Sequence, residues 1–131
     1  MPIETKIDKD YVLDYFRRVH SLRHTPERIL KPFQDFLIDD FENKSQDLID
    51  KWSTNQAYLA MGNILTVCAL EGVDSCPMEG FDPDIYDEVL GLNKLGLKSV
   101  LLLPIGYRAD DDIFSEFKKV RKPLEEAVIE L

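Results

Sequence analysis

The chain is poor in the residues that build disulfide and metal sites. Only Cys68 and Cys76 occur among its 131 residues, and no Cys/His pattern accompanies them. That content excludes a disulfide framework and a zinc site, and fits the reduced thiols of a cytoplasmic protein. Basic residues are also in deficit, 16 Lys and Arg against 25 Asp and Glu, and the net charge of -9 repels phosphodiester backbones. General nucleic-acid binding is thereby excluded as a function class. No long apolar run is present either. The most apolar uncharged stretch, Ala57 to Leu70, falls short of the roughly 20 apolar residues that a membrane-spanning helix needs. The start, Met1-Pro2-Ile3-Glu4, lacks the basic-then-apolar layout of a signal peptide. No Ser/His/Asp triad, P-loop or dinucleotide fingerprint appears, which leaves hydrolase and kinase chemistry without residues to carry it. There is no internal repeat and no Gly/Ser-rich linker, and a chain of this length fits one domain, residues 1–131.

What is present is strongly patterned. Val12, Tyr15, Phe16, Val19 and Leu22 recur at helical spacing between Lys9 and Leu22. Thr25-Pro26-Glu27 reads as an N-cap, a proline at the first helical position and a first-turn acid, with Pro32 expected to end or restart the helix. Phe33, Phe36, Leu37 and Phe41 mark a second amphipathic helix, of which Phe36, Leu37 and Phe41 are most simply core. Ser45 can cap a third, carrying Leu48, Ile49 and Trp52 before turning apolar on nearly every side through Ala57 to Cys68, with Gly72 suited to its C-terminal cap. A helix apolar all round must be covered all round. So short a chain can hardly do that alone, which predicts a homodimer in which Ala60 and Gly62 permit close helix approach.

Val73 to Pro77 reads as a short strand, and Asp82-Pro83-Asp84 opens a brief helix stopped by Gly91. Ser99 to Ile105 is a continuous apolar run, expected as a strand buried on both faces and ended or bulged at Pro104. The Asp110-Asp111-Asp112 triplet marks an exposed turn. Beyond it, Pro123 argues against one continuous helix.

Two segments carry candidate chemistry. Cys76-Pro77-Met78-Glu79-Gly80-Phe81 is a strand end running into a Pro/Gly turn, where Gly80 lets its backbone N–H approach a planar ring and Pro77 stiffens the entry. Lys118, Lys119, Arg121 and Lys122 form the densest basic cluster in an acidic protein. A flavin mononucleotide needs both: cations for a phosphate dianion and backbone donors near the ring edge. Taken singly, the first is an ordinary turn and the second a solvated basic tail.

Together the segments resemble the C-terminal half of the nitroreductase family of FMN-dependent NAD(P)H oxidoreductases. The resemblance is carried by Trp52 with Gln56-Ala57-Tyr58-Leu59-Ala60-Met61-Gly62-Asn63, by Gly72-Val73-Asp74 leading into Pro77 to Phe81, by Leu102-Leu103-Pro104-Ile105-Gly106, and by Lys119-Val120-Arg121. It implies an α+β fold with a mixed sheet flanked by helices, and an intertwined dimer around a long buried core helix. It implies FMN at the dimer interface, NAD(P)H as electron donor, and a nitroaromatic, quinone or similar small molecule as acceptor. The implied cofactor contacts are Pro77, Met78, Glu79 and Gly80 along the ring, and Lys119 and Arg121 at the phosphate, with no catalytic side chain and no metal. It also implies that the family's N-terminal flavin-binding segment does not precede Lys9. A truncated, non-catalytic remnant acting as a helical dimerisation protein is the alternative.

His20 and His24 stand at the spacing of a two-histidine metal site, but arginines crowd them and no acid lies between, so they read as surface histidines. Residues 17–31 carry Arg17, Arg18, Arg23, Arg28 and Lys31 against the single acid Glu27. This patch is either a solvated face or an attractor for the phosphates of NAD(P)H.

Overall fold

The computed structural model describes residues 1–130. Helix α1 (Lys9–Arg23) starts where Asp8 accepts the Tyr11 N–H at 3.1 Å, and ends at His24, which takes up a left-handed φ of 53°. Helix α2 (Glu27–Glu42) corrects two expectations. Its N-cap is Pro26 rather than Thr25, and it runs unbroken through Pro32. Pro32 removes only the N–H that would bond Arg28, early in the helix and on its exposed side, while Leu30, Leu37, Ile38 and Phe41 anchor the opposite face. At about 100° per residue Phe36 lies off that face, and it is 61% exposed rather than part of the core.

Helix α3 (Gln46–Glu71) follows Ser45 and closes at Gly72, whose φ of 67° is the left-handed conformation that a side chain resists. Two apolar clusters sit along it. Ile7, Val12, Phe16, Phe41 and Ile49 pack with Trp52, which meets Phe41 edge to face at 5.1 Å between centroids. Further along, Ile3, Ala57 and Leu101 pack with Tyr58 and Met61. Each large side chain so buried contributes about 1.5–3 kcal/mol. The rest of α3 is less covered than its composition demands: Leu59 is 64% and Leu70 80% exposed in the single chain.

The remaining elements are short. β1 (Pro2–Glu4) pairs antiparallel with β3 (Leu97–Ser99), and β2 (Asp74–Ser75) with β4 (Ile105–Gly106). Between β2 and β3 lies α4 (Pro83–Leu90), opened by Asp82, whose Oδ1 accepts the N–H groups of Asp84 and Ile85, and closed by Gly91. α5 (Leu124–Ala127) follows Pro123, which keeps the tail from forming one helix. The α+β class holds, with the sheet built from these two antiparallel pairs in place of a single mixed sheet. The expected strand Ser99–Ile105 is likewise redistributed. Val100 donates to Met1 O, Met78 and Leu102 exchange hydrogen bonds at 2.9 Å, and Cys76 donates to Pro104 O at 3.0 Å. The segment changes partner midway because each neighbour is too short to follow it. Only Leu101 is fully buried, and Ile105 is 53% exposed. No helix among the described residues is long and apolar enough to cross a membrane.

Candidate functional site

The strand β2 and the turn after it are held by the 102–106 segment, so Cys76 to Met78 is a fixed rail. Beyond Met78 the ladder stops. Neither the Glu79 nor the Gly80 amide N–H has an acceptor among the described residues, and both residues are exposed. The Glu79 carboxylate is turned away: the Tyr58 hydroxyl on α3 donates to its Oε1. The turn therefore presents two backbone donors with its acidic side chain tied back. A Cβ added to Gly80 meets nothing within 4 Å, so no contact within this chain demands glycine there.

Pro77, Met78 and Glu79 line a cleft of about 230 Å³ with Tyr58, Met61 and Leu101. Next to it, Asp74, Cys76, Tyr107, Arg108, Phe117 and Lys119 line an open cleft of about 500 Å³. Here the two predicted segments meet, since Lys119 shares a wall with the residue that immediately precedes Pro77. Gly80 and Arg121 line neither cleft. The Arg121 guanidinium donates to its neighbour's carbonyl, Val120 O, at 2.9 Å.

The electrostatics single out Lys119. Arg108 grips Asp74 with two bonds, Nε to Oδ2 at 2.6 Å and Nη2 to Oδ1 at 2.9 Å. That hydrogen bonding and the charge of Arg108, with a smaller contribution from Lys119, hold the Asp74 carboxyl below its ordinary value, and the same bond and the charge of Asp74 raise the Arg108 guanidinium. With Arg108 so engaged, Lys119 is the cation in this cleft with no carboxylate within ion-pair distance among the described residues. Sequence reasoning missed Arg108 and Tyr58. An arginine just after one predicted strand, facing an aspartate in another, was a usable signal for the first; Tyr58 was hidden within an apolar helical stripe.

The donor set fits one edge of a flavin mononucleotide: two free amides on a stiff turn, an apolar wall from Met78, and a cation in the adjoining cleft. A larger cleft lies elsewhere, between α1 and α2.

Helices packed on short antiparallel pairs, with a donor-bearing turn and a cleft lined by Arg108 and Lys119, define an α+β chain. The chain belongs to the nitroreductase family, whose profile matches residues 16–107. An oxygen-insensitive NAD(P)H nitroreductase of Enterobacter cloacae is 38% identical over 81 residues, 62% of this chain and 37% of that protein. Among solved structures, a nitroreductase family protein of Streptococcus pneumoniae superposes with a TM-score of 0.72 at 22% identity, covering 95% of this chain and 60% of that one. A Staphylococcus epidermidis protein provisionally described as an NAD(P)H:FMN oxidoreductase gives a TM-score of 0.77 at 19% identity, covering 95% and 58%. The structural likenesses establish the fold. This chain thus spans between about a third and three-fifths of the length of these relatives.

Proposed function

We propose that the chain forms part of an FMN-dependent oxidoreductase that passes electrons from NAD(P)H to a nitroaromatic, quinone or similar small acceptor, working as a homodimer. The carrying observation is the pair of unpartnered amides at Glu79 and Gly80 beside a cleft that holds the uncommitted Lys119. The names of the relatives, NAD(P)H nitroreductase and NAD(P)H:FMN oxidoreductase, support the donor and the cofactor.

When bound, FMN supplies the two-electron chemistry. The chain's own residues then bind and orient. Lys119 neutralises phosphate charge, with Arg121 as a second cation, and Pro77 and Met78 support one face of the ring. The Glu79 and Gly80 N–H groups would donate to an edge of the ring as fixed dipoles that need no reorganisation. Tyr58 keeps the Glu79 carboxylate off that edge, which a second negative charge would oppose. The exposed faces of Leu59 and Leu70 on α3 support self-association, since each is a large apolar side chain left bare in the single chain.

The remnant reading is favoured by one observation: Arg121 and Gly80 line neither of these two clefts, and the Arg121 guanidinium donates instead to Val120 O. Flavin titration separates the two. Saturable FMN binding, followed by NAD(P)H consumption with a quinone or nitroaromatic, supports the oxidoreductase. A colourless protein that stays inactive in excess FMN supports the remnant.

A further inference from the structure

The turn between β2 and α4 keeps its backbone in place without help from a charged side chain. Met78 and Leu102 exchange hydrogen bonds at 2.9 Å, the Phe81 N–H donates to Glu79 O at 3.0 Å, and the Phe81 ring meets Tyr86 of α4 edge to face, 5.3 Å between centroids. One further tie, from the Tyr58 hydroxyl on α3 to Glu79 Oε1, joins residues 21 apart in the chain and holds no backbone group. What it fixes is the position of a charge.

No cation pairs with Glu79 among the described residues. An ionised carboxylate can only accept, so the Tyr58 O–H sets its direction. Glu79 is exposed, and its own N–H is one of the two unpartnered amides of the turn. A released carboxylate therefore stays within a side chain's length of whatever those amides hold. Taking up electrons makes a flavin more negative, and a carboxylate nearby opposes the reduced form more than the oxidised one. Tyr58 itself is seated by packing: it is half-buried against the cluster of Ile3, Ala57 and Leu101.

We infer that Tyr58 is a positioning residue, acting through the Glu79 carboxylate to favour reduced over oxidised flavin and so to raise the reduction potential of the bound cofactor. The inference rests on FMN binding at the Glu79 and Gly80 amides, and adds to that reading what sets the balance between the two redox forms. Tyr58→Phe removes the hydroxyl alone, and keeps both the packed ring and the backbone bonds of the turn.

The test measures dissociation constants for oxidised FMN and for chemically reduced FMN, without oxygen, in wild type, Tyr58→Phe, Glu79→Gln and the double variant. In Tyr58→Phe the ratio of the two constants should shift about tenfold against reduced FMN, which lowers the two-electron potential by about 30 mV. Glu79→Gln alone should show no such shift. The double variant should match Glu79→Gln, because an amide has no charge to release. The shift in Tyr58→Phe should also shrink in about 1 M salt, which screens an exposed carboxylate. A Tyr58→Phe ratio within about twofold of wild type overturns the inference. A shift that persists in the double variant overturns it too, since it marks a structural role for Tyr58. A chain that binds both forms of FMN with an unchanged ratio loses this inference alone, and one that binds neither loses the oxidoreductase reading with it.

Discussion

Replacing Lys119 with alanine isolates the phosphate contact, because among the described residues that side chain makes no hydrogen bond or ion pair and acts only through its charge on Asp74. Lys119 is exposed and has no ion-pair partner among the described residues, so its removal should leave stability within about 0.5 kcal/mol. Arg108, the other cation in its cleft, is committed to Asp74. A hydrogen bond to a charged group contributes about 1.5–3 kcal/mol, and exposure of the site argues for the lower end. About 1.4 kcal/mol corresponds to a tenfold change in affinity. Lys119→Ala should therefore weaken FMN binding about tenfold, read from quenching of flavin fluorescence during titration. Lys118→Ala is the control, since it removes the same charge from a neighbour that does not line the cleft. Arg121→Ala should weaken binding less than Lys119→Ala, given the guanidinium's existing bond to Val120 O. Equal affinity in wild type and Lys119→Ala, or equal losses from Lys118→Ala and Lys119→Ala, refutes the assignment of Lys119.

Three further outcomes follow from particular contacts. The buried Asp87 accepts the Ser99 N–H at 2.8 Å, so Asp87→Ala leaves that donor unpartnered in the interior; urea unfolding should show a loss of about 1–3 kcal/mol. Asp50 is held below its ordinary value of 3.8, first by its hydrogen bond from Lys98. A depressed carboxylate contributes stability that is present above the unfolded value and lost as pH falls through the lower folded one. Wild type should thus lose stability below about pH 4 by more than Asp50→Asn does, compared by urea midpoints at pH 6 and pH 3, and parallel losses would contradict the linkage. Finally, a Cβ at Gly62 meets nothing within 4 Å in the single chain, so Gly62→Trp should fold normally yet impair self-association in sedimentation. An unchanged sedimentation profile would remove Gly62 from the interface.

Much of the helical layer was legible because its signals are local. The caps at Gly72, Asp82 and Gly91, and the 3.6-residue stripe of Val12 and Phe16, need only a few neighbouring residues to be read, while Ser45 marks the start of α3 without a side-chain cap bond. Pro32 was misjudged because local propensity was outweighed by the packing of Leu37, Ile38 and Phe41. The strands failed for a related reason. An apolar run such as Ser99–Ile105 states that it is buried, and says nothing of how far its neighbours extend along it. At the site, the Pro77–Gly80 turn and the 118–122 cations were visible as residue types. Which cation faces the cleft was not, since that depends on Asp74 engaging Arg108 and leaving Lys119 free.

The most direct test of the flavin surface records amide ¹⁵N–¹H shifts during FMN titration. Saturable shifts at Glu79 and Gly80, appearing together with those of Lys119 and at one common affinity, are the predicted result. Shifts that leave Glu79 and Gly80 unmoved while FMN saturates the protein would contradict the role given to those two amides.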